Sequence, residues 1–512
     1  MLPLFELGLV QAVESAFGDL EVPNWKEKLT GFGADGASVN VGHKGGVSAL
    51  LKKDVRHLLE IHCFPHRLEL ALLSMQRDCH LVTQVYDVLH LVWKTYHYSP
   101  KSKRDLKTLG SQLGIDVLQP TRVKGSRWLP HVSRALDVFI KPVKDGDLAK
   151  DESQCAAVLQ HMEHLASTSP KAEIKGRALN VARAMKKVSF LVFCHFLADM
   201  FQILGKLSLH FQRNDLILPS ALAILKETVE NIKSLPKRPI PGGRMETLLA
   251  SFAKTQCEPP MFQGIQLTKS GSANVRNIAS KVHHSGSDEV PKSIEQAVQL
   301  CLKGLEDRFG PLLQHKSEKT ATVNGVISDL TVFNHDAWPT DMEALLDFGR
   351  EKVERLINWF KVPLVSSGCN TGAIQPQWLS LKILVHSEFM DKGYNDLWAT
   401  LMTKEPYRNE LKDVLCLVEI LLVLPLSAAQ CERAISAQNR IKNCHRASLA
   451  PKTTESLIRI SAEGPPVIDY DPAPAVAAWF SSAKKPRRPF YTPLTELFQR
   501  HLQITLHHCT KL

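Results

Sequence analysis

Lys28-Leu-Thr-Gly-Phe-Gly-Ala34, closed by Asp35-Gly36, is the stretch on which the fold turns. A short apolar run that carries glycines and ends on an acid predicts a β-strand with Asp35 at its carboxyl end. On its amino side, Leu9, Val10, Val13 and Phe17 recur at helical spacing and predict a helix over residues 5–18, ended by Pro23 and Asn24. On its carboxyl side, residues 36–40 turn the chain, 47–59 read as helix and 59–64 as a second strand. Residues 67–75 are rich in Leu, Glu and Ala and predict a helix. Leu81, Val82, Val85, Val88, Leu89, Val92 and Trp93 form a further helical stripe. Beyond about residue 130 the pattern is almost wholly helical, most clearly over 188–211, 222–232, 294–309 and 342–360. Residues 236–243 and 268–290, rich in Gly, Pro, Ser and Asn, read as loops. No repeat of fixed period is visible. After Gly464 the composition shifts to GPPVIDYDPAPA and then KKPRRP, which predicts an extended or disordered tail.

The chain has 512 residues, enough for three to four domains by length alone. Its 44% hydrophobic and 22% charged content excludes wholesale disorder. The 63 basic and 52 acidic residues leave +11, a balance that favours a polyanionic partner such as nucleic acid. No membrane partner is expected. Residues 415–426 are too short an apolar run to span a bilayer, and 189–209 carry His195, Asp199 and Lys206. Residues 1–20 have Glu14 and Asp19 and no basic leader, against a secretory signal. Eleven cysteines without a CxxC pair read as reduced thiols.

Several residues can carry chemistry, and each has a plainer alternative. Asp35 at a strand end is placed to hold a metal, or it is a turn aspartate. His62-Cys63-x-x-His66 has ligand-type residues but no second pair at finger-like spacing. Packing and hydrogen bonding at a strand-to-helix junction is the alternative there. Ser427-Ala-Ala-Gln430 fits a capping box and predicts a helix starting near Ala428. Glu432 then falls in its second turn, with Ser436 and Asn439 on the same face, exposed and polar or functional. Residues 101–150 hold eleven Lys and Arg against five Asp, over half the chain's excess charge in a tenth of its length. Arg122, Lys124, Arg127 and Trp128 lie inside that segment. Trp128 is a base-stacking ring or a core Trp beside a solvated basic face. A second basic group comprises Arg440, Lys442, Arg446 and Lys452. Lys484-Lys-Pro-Arg-Arg488 is a nuclear import signal or a solvated linker.

Four blocks, taken in order, resemble the hAT superfamily of DNA transposases, most closely vertebrate hAT-derived proteins, some of which carry zinc fingers. They are Leu29-Thr-Gly-Phe-Gly-Ala-Asp35-Gly-Ala-Ser-Val-Asn40; His62-Cys63-Phe-Pro-His66-Arg67-Leu-Glu-Leu70; Ser126-Arg127-Trp128; and Leu424-Pro425-Leu-Ser427-Ala-Ala-Gln-Cys-Glu432-Arg433-Ala-Ile-Ser436, continuing to Arg440-Ile441-Lys442. The resemblance implies an α/β fold: an RNase H-like core with a dominant all-α insertion, mostly helical overall, its first strands missing. The expected units are 1–130 (partial core), 131–395 (helical insertion), 396–462 (C-terminal hAT dimerisation part) and 463–512 (tail). In active members two Asp and one Glu hold divalent metals that clamp the attacking and leaving oxygens of strand transfer. By motif position Asp35 matches the second Asp and Glu432 the Glu. Trp128 matches a Trp that stacks on a flipped base, with Arg127, Lys124 and Arg122 beside it. Cys63 and His66 match a Cys-x-x-His next to the active site. Pro425, Ser427, Arg433, Ser436 and Ile441 fall in the dimerisation block.

The chain departs from the pattern in three respects. No strand with an Asp precedes Glu21, Ile435 stands where the family has Phe, and an N-terminal zinc-binding DNA-recognition domain is absent. The expectation is therefore an incomplete triad and a vestigial Asp35–Glu432 pair, in a fragmentary or domesticated chain. It is expected to be non-catalytic and nuclear, to form a homodimer or higher assembly through its C-terminal region, and to bind DNA. No cofactor is expected, with Mg2+ only in a catalytically competent form. The alternatives are a metal-dependent transposase or nuclease whose first Asp is supplied upstream, and a helical scaffold for protein partners.

Overall fold

The computed structural model describes residues 4–114, 117–123, 127–140, 154–255, 260–262, 265–268, 289–313 and 322–482. Helices dominate it, and they divide into two compact units, residues 1–430 and 431–512.

In the first unit the sheet predicted from the opening stretch is present. β1 (Gly31–Ala34) pairs in parallel with β2 (Leu59–His62), Gly31 opposite Leu59 and Ala34 opposite His62. The preceding helix spans Leu4–Asp19, one residue beyond its predicted limit at each end. The helix predicted over 47–59 stops at Leu51, because the chain must extend again to enter β2. Residues 36–40, read as a turn, include a short helix, Ser38–Val41. β3 (Met261–Phe262) and β4 (Ile265–Gln266) form a separate two-residue antiparallel ladder.

One hydrophobic core runs from Leu59 to Leu426, uninterrupted across residues 130 and 395. A second, smaller cluster of Val47, Leu51, Val55 and Leu58 packs with Leu9, Val10, Trp25 and Phe32 beside the sheet. The centre of the main core is helix Val188–Phe211. It is long and apolar enough to cross a membrane, but 83% of its apolar window is buried inside the protein. Its polar residues have interior work. His195 Nδ1–H donates to the Leu191 carbonyl at 2.7 Å, and Asp199 accepts the Arg244 and Met245 N–H groups at 2.9 and 3.0 Å, capping helix Arg244–Thr255.

Two longer sequence expectations need correction. The helix predicted over 342–360 is two helices, Met342–Asp347 and Arg350–Trp359. Gly349 breaks it with φ 76°, and a Cβ there would lie 2.4 Å from Val332 Cγ2, so the turn needs glycine twice over. Lys382, 1% exposed, secures the break: its Nζ donates to the Leu345, Leu346 and Phe348 carbonyls at 2.6, 2.6 and 2.9 Å. In the stretch expected to be an extended tail, Ala473–Ser482 is helical, with Asp471 Oδ1 accepting the Ala473 N–H. Lys484–Arg488 and nearly all of the 268–290 loop lie outside the described residues.

Candidate functional site

β1 and β2 run in parallel, so their carboxyl ends lie side by side, the usual place for a site on an α/β sheet. Asp35 follows β1. Its Oδ1 accepts the Ala37 N–H at 3.1 Å and Asn40 Nδ2–H at 2.8 Å, an aspartate turn that fixes the carboxylate. Burial alone would raise its pKa. The Asn40 and Ala37 hydrogen bonds and the adjacent His66 and His62 outweigh that and hold it below the ordinary carboxylate value. His62 closes β2, its ring against Gly36, where a Cβ would come within 2.9 Å of Cε1. His62 and His66 have ring centroids 5.5 Å apart. Burial, followed by the charges of Arg67, His66 and Arg308, pushes His62 down to about 4, with Asp35 opposing.

The surroundings are basic. Arg67 lies over the Phe64 and Phe309 rings at 6.0 and 5.6 Å, and among the described residues it has no ion-pair partner. Burial and Arg308 lower its pKa. A pair of divalent cations needs clustered carboxylates. This edge offers one carboxylate, already hydrogen-bonded, among two imidazoles and two guanidinium groups, so its residues do not fit the pair. No group of three or more metal-holding side chains occurs among the described residues.

Cys63 is 1% exposed and opens helix Phe64–Asp78, with Pro65 in the first turn. Its N–H continues the ladder to the Ala34 carbonyl at 2.8 Å. Its Sγ accepts the Ala428 N–H at 3.2 Å across 365 residues of sequence. One residue on, the Phe64 N–H donates to the Leu426 carbonyl at 2.9 Å. Pro425 lies on the face of β1: a Cβ on Gly31 would approach its Cδ to 2.8 Å, and one on Gly33 its carbonyl oxygen to 2.3 Å. The two glycines thus let residues 424–428 rest directly on the strand. Ser427 Oγ accepts the Ala429 N–H at 3.3 Å, and helix Ala429–Ile441 starts one residue later than predicted, which puts Glu432 in its first turn.

The third block joins through Glu69. This buried carboxylate accepts the Leu129 N–H at 3.0 Å at the start of helix Trp128–Phe139. Trp128 itself is 8% exposed and edge-on to Phe201 at 5.3 Å and 84°, a core ring with no face open to a base. Expected as a stacking residue, it packs inside because it begins an amphipathic helix whose Leu129, Val132 and Leu136 are buried with it. Arg127 Nη1–H donates to Gln212 Oε1, and Arg122 lies 5.8 Å over the Trp93 ring. Lys124 lies outside the described residues.

In the second unit, Glu432, Arg433 and Ser436 are exposed and Ile441 is half-buried. Ile435, Ile460, Val467 and Ile468 are exposed by 57, 69, 93 and 92%. The sequence gives no signal for Glu69, whose role depends on a contact 60 residues away, and Trp93, the last residue of the helical stripe, is half-exposed. The Lys94, His97 and Tyr98 that follow Trp93 were the available signal.

No protein-family model matches the chain, and no solved structure matches it.

Proposed function

We propose that this chain is a transposase-derived protein of the hAT type, with an RNase H-like core, that self-associates through its C-terminal helices and binds nucleic acid without transferring strands. One observation carries the reading. The sequence blocks that resemble the family, scattered between residues 29 and 428, meet in the first unit: Pro425 on β1, Ala428 on Cys63, Leu426 on Phe64, and Glu69 at the helix that begins with Trp128. Residue types shared by chance at such separations have no reason to converge. The basic residues around Asp35 favour phosphate over a cluster of divalent metals. The +11 charge favours the same partner and accords with a nuclear location.

The exposed Ile435, Ile460, Val467 and Ile468 support association through the second unit. Size-exclusion chromatography with light scattering tests this. The full chain at micromolar concentration is expected at twice its monomer mass, and Ile435→Asp with Ile460→Asp at the monomer mass. A wild-type monomer overturns the self-association, and a dimer indifferent to both substitutions moves it elsewhere.

A further inference from the structure

Helix His80–His97 turns Leu81, Val82, Val85, Val88, Leu89 and Val92 into the core, and this leaves His90, Trp93 and His97 together off the buried stripe. The rings form a column. His90 and Trp93 stack at 5.5 Å and Trp93 and His97 at 4.6 Å, both with 23° between planes. Arg122 lies over Trp93 at 5.8 Å. Just past the helix end, Tyr98 sets itself edge-to-face against Trp93 at 5.9 Å and His97 at 4.7 Å, and it remains 69% exposed. A tyrosine held by two rings yet left open on most of its surface is a platform already ordered before anything binds.

The charge around it is one-sided. The next helix, Pro100–Leu113, starts two residues after Tyr98 and carries Lys101, Lys103, Arg104 and Lys107. With Lys94 and Arg122 they make six cations. Among the described residues none of the six is in an ion pair, and the only acids in the same stretch are Asp87 and Asp105. Ring faces interleaved with unpaired cations are complementary to unpaired bases on a phosphate backbone. A duplex offers the phosphates but keeps its base faces stacked, so the rings select single strands.

We infer that the Trp93–His97–Tyr98 column, with Arg122 and the basic helix after it, is a binding surface for single-stranded nucleic acid, with a base stacked on Tyr98 and phosphates held by Lys101, Lys107 and Arg122. This deepens the nucleic-acid part of the proposed function and rests on it. It moves the stacking role from Trp128 to an exposed ring.

The probe is fluorescein-labelled oligo(dT), with anisotropy read on the full chain across a salt series. Tyr98→Ala is expected to bind about 5- to 100-fold more weakly than wild type at one salt concentration, with the same salt dependence, because a stacked base is lost and no phosphate contact is. Tyr98→Phe is expected to bind as wild type, since the ring and not the hydroxyl carries the contact. Lys101→Gln with Lys107→Gln is expected to weaken binding and flatten the salt slope by up to about 1.5, at roughly 0.7 per single-strand phosphate contact. Tyr98 is solvent-facing, so Tyr98→Ala should keep the wild-type circular dichroism spectrum. A Tyr98→Ala variant that binds oligo(dT) as wild type does overturns this surface and leaves nucleic-acid binding standing. A wild-type chain that does not bind at low salt overturns both.

Discussion

Gly33→Ala adds one methyl group where the protein has the least room for it. The new Cβ would stand 2.3 Å from the Pro425 carbonyl oxygen, 2.8 Å from Pro425 Cβ and 3.2 Å from its carbonyl carbon. Ordinary contact begins at 3.4 Å, so residues 424–428 must retreat by about 1 Å or leave β1 altogether. Complete release sets the ceiling. It loses the Phe64–Leu426 and Cys63–Ala428 hydrogen bonds, at about 1 kcal/mol each, and exposes the buried Leu424 and Leu426, at about 2 kcal/mol each. Retreat with strain is cheaper, at about 1–3 kcal/mol, so the expected loss is about 2 kcal/mol. Gly176→Ala is the matched control. It lies in helix Ala172–Met185 with nothing within 4 Å of its Cβ, so the same methyl should stabilise by about 0.5–1 kcal/mol. Urea unfolding followed by circular dichroism reads both signs. Native-state alkylation mapped by mass spectrometry reads the cause: Cys63, 1% exposed in the wild type, should become reactive in Gly33→Ala and stay protected in Gly176→Ala. Unchanged stability with Cys63 still protected in Gly33→Ala would refute the seating of residues 424–428 on the strand.

Other outcomes follow from the same packing. Burial holds the His195 pKa at about 4. The unfolded chain therefore takes up its proton near pH 6.5 while the folded one does not, and about 3 kcal/mol of stability is lost as pH falls from 6.5 to 4. His195→Gln should flatten that limb of the stability–pH curve, and an unchanged slope contradicts the assignment. Trp128→Ala removes a buried ring and should cost about 3–5 kcal/mol in urea unfolding, with oligo(dT) affinity of the folded protein unaltered. A fully stable variant that loses DNA affinity would return Trp128 to a stacking role. Lys382→Met takes the donor from the Leu346 carbonyl and one of two donors from those of Leu345 and Phe348, which keep the Phe348 N–H and Trp378 Nε1–H, and should cost about 1–3 kcal/mol, which thermal unfolding can read. A neutral result means that those carbonyls find other donors.

The helices were legible because apolar periodicity is local. Val188–Phe211 was placed to the residue and Leu4–Asp19 to within one. The break at Gly349 was not legible, since a glycine inside a helical pattern shows neither its φ nor the Val332 methyl above it. Asp35 could be read as a strand-end acid in a turn, but the Asn40 side chain that joins the Ala37 N–H on its carboxylate could not, since spacing does not say where an amide points. Trp128 and Trp93 show the limit most clearly. Both sit next to basic residues in sequence, yet one is buried against Phe201 and the other forms a half-exposed column with two histidines. Which ring faces solvent depends on what packs over the helix from far along the chain. The convergence of the four blocks is of the same kind, since Cys63 and Ala428 are joined by the fold alone.

Sedimentation velocity of the full chain with dye-labelled oligo(dT), followed at the dye wavelength, tests self-association and nucleic-acid binding together, because mass and binding are read from one boundary. At low salt the dye is expected to migrate with a dimer of the 57.2 kDa chain, and raised salt is expected to release the dye while the dimer persists. A 57.2 kDa monomer with free dye at every salt concentration would contradict both.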